Sequence, residues 1–404
     1  MANILLLVHR LPYPPNKGDK VRSFHLLKHL LAQHRVFLGT FVDDPDDEQH
    51  VDTVRAMCAG AHVARLHPSR AKIASLRGLL NGEALSLPYY RDAGLGDWVK
   101  QLGESGQIDA VVVFSSSMAQ YAETLPQLPM LVDFVDVDSA KWTDYGTAHR
   151  WPLSWLYKRE GERLLAYESS VANKARCSFF VTDKEVALFR KLSPQSAAAP
   201  VEALCNGVDA QFFEPDAGRA SPYAAGEVPI VFTGAMDYWP NVDAVQWFAT
   251  EVLPRLRERR PEIRFHIVGR SPTPAVQALA SDVVNVTGTV PDVRPWLQHA
   301  AVVVAPLRLA RGVQNKVLEA MAMARPVVAA RSCVEALDVQ EGAELIAAES
   351  ADDYLRAIER LLDAQDQAAA VGVAGRERVL KSYAWTAHLS GLDRYLNRSE
   401  EMVG

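Results

Sequence analysis

Ala301-Val-Val-Val-Ala-Pro306-Leu-Arg308-Leu-Ala-Arg311-Gly312-Val313-Gln314-Asn315-Lys316-Val-Leu-Glu319-Ala-Met-Ala-Met-Ala-Arg325-Pro326-Val-Val-Ala-Ala330 reads as strand, loop, helix and strand. The β-branched run Ala301–Pro306 predicts a buried strand. A loop holding Gly312 follows, and Asn315 is a good cap for a helix over Lys316–Ala324. Pro326–Ala330 is the next strand. Continuous apolar strands joined by a helix indicate a parallel sheet covered on both faces. The helix start also carries chemistry. Its unpaired N–H groups and dipole attract an anion, and Lys316 adds a full positive charge where the dipole alone would disfavour one. Lys316 and Glu319 are three residues apart and share a face. A cation for phosphate and a carboxylate for ribose hydroxyls would suit a nucleoside diphosphate. The competing reading is an ordinary i,i+3 salt bridge.

Outward from this segment the same alternation continues. Upstream lie strand Ile230–Gly234, a helix over Val242–Arg259, and strands Arg264–Gly269 and Val283–Val290. The first half shows apolar runs at Asn3–Val8, Val36–Val42, His62–Leu66, Asp109–Phe114, Met130–Asp136 and Cys177–Thr182. Between the first two, Val21, Phe24, Leu27 and Leu31 repeat at helical spacing over Asp19–Gln33. The turn Asn206-Gly207 and a Gly/Pro/Ala-rich stretch to Pro229 mark a boundary. The expected domains are 1–205, joined by a returning helix within 383–404, and 206–382. Two open α/β sheets put their strand C-termini around a cleft, where such sheets bind ligands.

Composition narrows the class. With 404 residues, 49% of them apolar, the chain can fill two cores. A net charge of −6 argues against a nucleic acid partner. Cys58, Cys177, Cys205 and Cys333 form no CxxC pair and read as reduced thiols. The start, Met1–Pro15, is interrupted by His9 and Arg10 and does not read as a signal peptide. No window approaches a membrane span. The expected location is cytoplasmic, with peripheral contact at the inner membrane as the variant.

Gly312, Lys316-x-x-Glu319-Ala-Met-Ala and Pro326-Val-Val resemble the donor-binding signature of glycosyltransferase family 4, which has the GT-B fold. Asn206-Gly207-Val208-Asp209 with Phe212 and Pro215 resembles that family's interdomain linker. Phe232-Thr-Gly234-Ala-Met-Asp237-Tyr-Trp-Pro240-Asn241, Phe265-His-Ile-Val-Gly269 and Val286-Thr-Gly288-Thr-Val290 with Val293 resemble the first three strands of its donor domain. Pro12-Tyr-Pro-Pro15, Lys17-Gly18-Asp19 and Val132-Asp-Phe-Val-Asp136-Val-Asp138-Ser139 resemble the sugar transferases of exosortase (PEP-CTERM) exopolysaccharide loci.

The resemblance implies two Rossmann-like domains facing across a cleft, with a C-terminal helix crossing back to the first. It implies a nucleotide-sugar donor, a glycan or lipid-linked acceptor, retention at the anomeric carbon, and no metal or other cofactor. Carried over by position, Lys316 contacts the diphosphate and Glu319 the ribose. Gly312 and Val313 offer N–H groups, Gln314 adjoins them, and Gly269 and Val290 flank the base. Gly234 and Asn241 belong to the first donor-domain loop, and Gly18 to the glycine loop at the donor–acceptor junction. The chain departs from the family in three places. Arg311 stands where many members have glutamate, so Arg308, Arg311 or Arg270 would compensate. Gln314 stands where some have a basic residue, and Phe114-Ser115-Ser116-Ser117 lacks the family's first-domain histidine.

Other signals are weaker. Asp136-Val-Asp138 is a DxD, which binds metal in another transferase fold; here a contact to the acceptor or a carboxylate near the anomeric carbon is the functional reading, and a loop cap at Ser139 the plain one. His25 and His29 have i,i+4 spacing but no third zinc ligand. Lys17, Lys20, Arg22 and Lys28, and again Lys158, Arg159, Arg163, Lys174 and Arg176, read first as solvated faces and second as a lean on anionic membrane. Trp142, Trp151, Trp155 and Tyr157 read equally as packing or as a sugar or lipid platform. A dinucleotide dehydrogenase needs GxGxxG after the first strand, where Val8-His-Arg-Leu-Pro stands instead. A nucleotide-sugar epimerase on the same plan and a non-catalytic two-lobed binding protein are the alternatives.

Overall fold

The computed structural model describes residues 1–15, 18–308 and 313–396. Gly312, Arg311 and Lys17 therefore lie outside the described residues. The chain divides into two compact units, one running to Asn206 and resuming at His388, the other spanning Gly207–Ala387. The sequence expectation put these breaks at 205 and 383. The second falls later because Tyr383 O accepts from Val208 N–H at 2.8 Å, tying 383–385 to the start of the second unit.

Unit one is a parallel sheet of seven strands among the described residues: β1 (Asn3–Val8), β2 (Arg35–Val42), β3 (Gly60–Arg65), β4 (Ala110–Phe114), β5 (Met130–Val135), β6 (Cys177–Phe180) and β7 (Val201–Ala203), in the order β3-β2-β1-β4-β5-β6-β7. Ile4 pairs with Val36 on one side and Ala110 on the other. With helices on both faces, β4 is buried throughout and β1 from Ile4 onward, which is why they read as apolar runs. Five helices matter below: α1 (Gly18–Gln33), α2 (Pro68–Ser75), α3 (Arg77–Asn81), α4 (Asp138–Ala148) and α5 (Leu153–Lys174).

Helix α1 corrects the sequence reading. Leu26, Leu27 and Leu30 are buried, but so are Lys20, Arg22, Ser23 and His25. Lys20 pairs with Asp47 at 2.8 Å, and Arg22 grips Asp133 through two bonds of 2.7 and 3.0 Å. The basic residues of this helix are therefore not one solvated or membrane-facing stripe. Periodicity cannot show this, because the partner carboxylates come from distant segments. His29 bonds Asp393 at 2.8 Å rather than standing with His25 as a metal pair.

Unit two is a six-stranded parallel sheet: β8 (Val228–Thr233), β9 (Ile263–Val268), β10 (Val284–Gly288), β11 (Val302–Ala305), β12 (Val327–Ala330) and β13 (Ile346–Ala348), ordered β10-β9-β8-β11-β12-β13. The helix expected over Val242–Arg259 is α6 (Trp239–Trp247), a wider π turn over Phe248–Val252, and a short helix from Leu253. Pro254 explains the break: it has no N–H to give the carbonyl four residues back, and its ring clashes there. Helix α7 (Asn315–Ala322) follows β11, and α8 (Trp385–Leu396) ends the described chain. From His388 onward α8 packs within unit one, where Arg176 donates to Tyr395 O at 2.8 Å. All four cysteines are free. Among the described residues no helix is long and apolar enough to cross a membrane.

Candidate functional site

In unit two the chain reverses direction of travel across the sheet between β8 and β11. Strands β9 and β10 lie to one side, β12 and β13 to the other. Loops leaving β8 and β11 diverge at such a point and leave a crevice beyond the strand ends. Gly234 follows β8, and Val313, Gln314, Lys316 and Glu319 follow β11. The topology thus brings together residues about 80 positions apart, in the way a nucleotide site of this sheet class requires.

Lys316 is the centre of the cluster. Its ammonium is not given to Glu319; it donates to Asn241 Oδ1 and lies 4.4 Å from the centroid of the Phe232 ring. Asn241 is buried, and its Nδ2 donates to Ala235 O at 2.8 Å. Asn241 therefore orients Lys316. A Cβ on Gly234 would stand 2.8 Å from Asn241 Nδ2 and 3.0 Å from Lys316 Nζ, so glycine there leaves room for the amide and the ammonium. Burial pushes Lys316 down to about 8 against the pull of Glu319. Burial likewise pushes Glu319 up to about 7, with Lys316 drawing it back. Both groups are held at a cost that a bound anion and ribose hydroxyls would offset.

Helix α7 begins one residue earlier than the sequence suggested. Gln314, extended at φ −105°, takes the cap position, and Asn315 is the first helical residue. Val313 is 44% exposed. The first bond within this helix runs from Val317 N–H to Gln314 O at 3.0 Å, so the N–H groups of Asn315 and Lys316 precede the helical ladder. Gly269 follows β9; a Cβ on it would fall 1.6 Å from Gly234 O, so the two loops approach in a way only glycine permits. Val290 lies two residues beyond β10, half-buried against the core rather than within the strand expected to reach it. Of the proposed substitutes for the family glutamate, Arg308 is bound to Asp243 at 2.6 and 3.2 Å.

Gly269→Ala should cost about 3 kcal/mol, since a backbone carbonyl must move to admit the methyl group. Denaturant unfolding measures this. A variant as stable as the parent would mean the loop contact is not needed.

Unit one holds the other expected residues. Gly18 opens α1. Asp136 and Asp138 both accept from Lys141, at 2.7 and 3.0 Å, at the partly exposed start of α4. Although burial opposes it, Asp138 and Asp136 hold the Lys141 ammonium well above its ordinary value. The DxD carboxylates are thus bridged by a lysine. Val135, just before them, has φ +70°, a strained conformation for a β-branched residue. Among the described residues no three His, Cys, Asp or Glu side chains are grouped to hold a metal ion.

The sequence reading missed a second cluster. His9, after β1, stacks on Phe114 at the end of β4 with ring centroids 5.7 Å apart. Its Nε2 is 3.5 Å from Asp19, and its Nδ1 is buried without a partner. His9 and Arg10 hold the Asp19 carboxyl far below the usual range despite its burial. β1 and β4 are the strands between which this sheet changes direction. His9, from just beyond β1, thus lies beside the end of β4. The one local signal was His9-Arg10 breaking the apolar run.

The model for group 1 glycosyl transferases matches residues 227–364, which contain the whole Lys316 cluster. No curated protein sequence matches the chain. Among solved structures, sucrose-phosphate synthase from Thermosynechococcus elongatus is 19% identical, with TM-score 0.61, covering 98% of this chain and 99% of that one. HepE of Anabaena, solved in complex with UDP, is 14% identical, with TM-score 0.62 and coverages of 98% and 100%. A glycosyltransferase from Rickettsia africae is 13% identical, with TM-score 0.59 and coverages of 98% and 97%. At these identities the likeness establishes the fold: two parallel-sheet α/β domains of the GT-B kind.

Proposed function

We propose that this chain is a retaining glycosyltransferase that moves a sugar from a nucleoside diphosphate to a glycan or lipid-linked acceptor. The observation that carries the reading is Lys316: a half-buried ammonium, oriented by Asn241, at the first turn of α7 and beside Gly234. As the bond from the anomeric carbon to the diphosphate breaks, negative charge gathers on the departing phosphate. A fixed cation and the N–H group of Val313, with that of Gly312 beside it in sequence, stabilise that charge without reorganising. Glu319 accepts from ribose hydroxyls, and the backbone at Gly269 and Val290 meets the base. The acceptor hydroxyl adds to the anomeric carbon, and its proton leaves with the diphosphate. No metal is required where Lys316 carries the charge.

Two further facts support the reading. The matched family segment encloses the cluster, and HepE was solved with UDP and with UDP-glucose. In unit one, His9 and Asp19 are the pair we assign to the acceptor side, in preference to the lysine-bridged Asp136 and Asp138. Placement in family 4, a bacterial exopolysaccharide setting and a cytoplasmic site at the inner membrane belong to the same proposal and rest on the motifs of the two halves.

The test is thermal unfolding with UDP, GDP, ADP and TDP, without added metal. At about 100 times its dissociation constant a ligand adds roughly 2.7 kcal/mol of stability. One nucleotide, with UDP the first candidate, should raise the midpoint. No shift with any of them, with or without magnesium, would overturn the donor site.

A further inference from the structure

Unit one leaves a cluster of large apolar side chains in solvent, distinct from the residues around Lys316 and His9. Helices α2 and α3 expose Ile73 (71%) and Leu80 (89%), with Leu76 beside them. The turn from α4 into α5 exposes Trp151 (81%), and the first turn of α5 exposes Leu153 and Trp155 (55%). Single exposed leucines are ordinary; several together with two tryptophans are not.

The two groups form one surface. Arg159 on α5 donates to Gly78 O at 2.7 Å and to Glu83 O at 3.2 Å, so the start of α5 lies against α3. The next residue, the buried Glu160, accepts from the N–H groups of Leu85 and Ser86. Trp155 is one turn before Arg159 on the same face of α5. Beneath, Ala84, Leu87 and Leu164 form a small core with Trp142 and Tyr167 packed on it. The platform is firmly built, and its outer side chains are uncovered.

Charge says what covers it. Residues 67–81 contain Arg70, Lys72 and Arg77 and no acidic residue; residues 145–159 contain Arg150 and Lys158 besides the carbonyl-bound Arg159, with the exposed Asp144 and Glu162 just outside that stretch. The whole chain carries −6. A local positive rim around leucines and tryptophans, on an acidic protein, matches an anionic bilayer: leucines enter the acyl boundary, tryptophans sit at headgroup depth, and Lys and Arg meet lipid phosphates. We propose that the face formed by α2, α3 and the α4–α5 turn docks this protein on an anionic membrane surface. It is a different surface from the one suggested by the basic residues of α1, whose Lys20 and Arg22 are buried. The docking requires no nucleotide, so it stands apart from the donor site, and under the proposed function it would bring a lipid-linked acceptor within reach.

Sedimentation of the full chain with vesicles, in the absence of nucleotide, tests this. Vesicles of phosphatidylcholine with phosphatidylglycerol should carry the protein down, phosphatidylcholine alone should not, and high salt should release it. Leu80→Ser and Trp151→Ser should each weaken partitioning about tenfold. Lys72→Glu with Lys158→Glu should do the same through charge. All these side chains are exposed, and unchanged melting temperatures would show the fold intact. Failure to bind either vesicle would overturn the proposal, as would binding that none of the variants weakens. A chain that ignores lipid but forms a dimer dissociated by Trp151→Ser would show the face to be a protein interface instead. None of these outcomes bears on whether UDP stabilises the protein.

Discussion

Lys316→Ala should lower transfer from the nucleotide sugar about 10²- to 10³-fold and leave the protein folded. The size follows from removing one preorganised charge from the site where the leaving group develops its own. The folding side of the prediction follows from burial. Lys316 sits at about 8, below its ordinary 10.5. Between those values the unfolded chain binds the extra proton, so this group makes stability rise with pH across that window and contributes a penalty below it. The alanine variant loses that slope and should melt no lower than the parent near neutrality. Nucleotide affinity has the opposite dependence. It should fall as pH rises past about 8 in the parent, as the ammonium loses its proton, and the variant should lack that lysine-dependent fall, keeping only what Glu319, no longer drawn down by Lys316, contributes. Calorimetric titration with UDP from pH 7 to 9.5 would read both. Parent-like affinity in the variant, with no break near pH 8, would remove Lys316 from the donor site.

What could be read in the sequence divides along a physical line. Strands β1, β4, β8 and β11 are buried on both faces, so their apolar runs speak for themselves. Strands β7 and β13 have three residues each and lie at sheet edges; neither stands out from its surroundings. The spacing of Lys316 and Glu319 is local and was visible. What Lys316 does with its ammonium was not, because Asn241 reaches it from the first turn of α6, 75 residues earlier. His9 escaped notice for the same reason: its meaning comes from Phe114 on the adjacent strand and Asp19 on α1. Pattern reports what an element buries. It does not report which distant group a polar side chain finds.

Arg22 makes the point energetically and carries the largest expected effect on stability. Its guanidinium and the Asp133 carboxylate are both about 1% exposed and joined by two bonds, while a third runs from Nη1 to Asn206 Oδ1 at 2.9 Å. Arg22→Met would leave a buried carboxylate uncompensated, a loss of about 3–5 kcal/mol. Asp133→Leu should be comparably harmful, and for a second reason: Asp133 Oδ1 also accepts from the N–H of Val135 at 3.2 Å, helping to hold that residue at φ +70°. In the double variant no charge is stranded, so its loss should be smaller than the sum of the two by at least about 2 kcal/mol. It should not return to the parent value, because Val135 has lost its brace. Urea unfolding of the four proteins closes the cycle. Additive losses would mean that the pair is solvated and that α1 does present a basic face, as its sequence first suggests. A double variant fully as stable as the parent would mean that the Val135 backbone needs no support from Asp133.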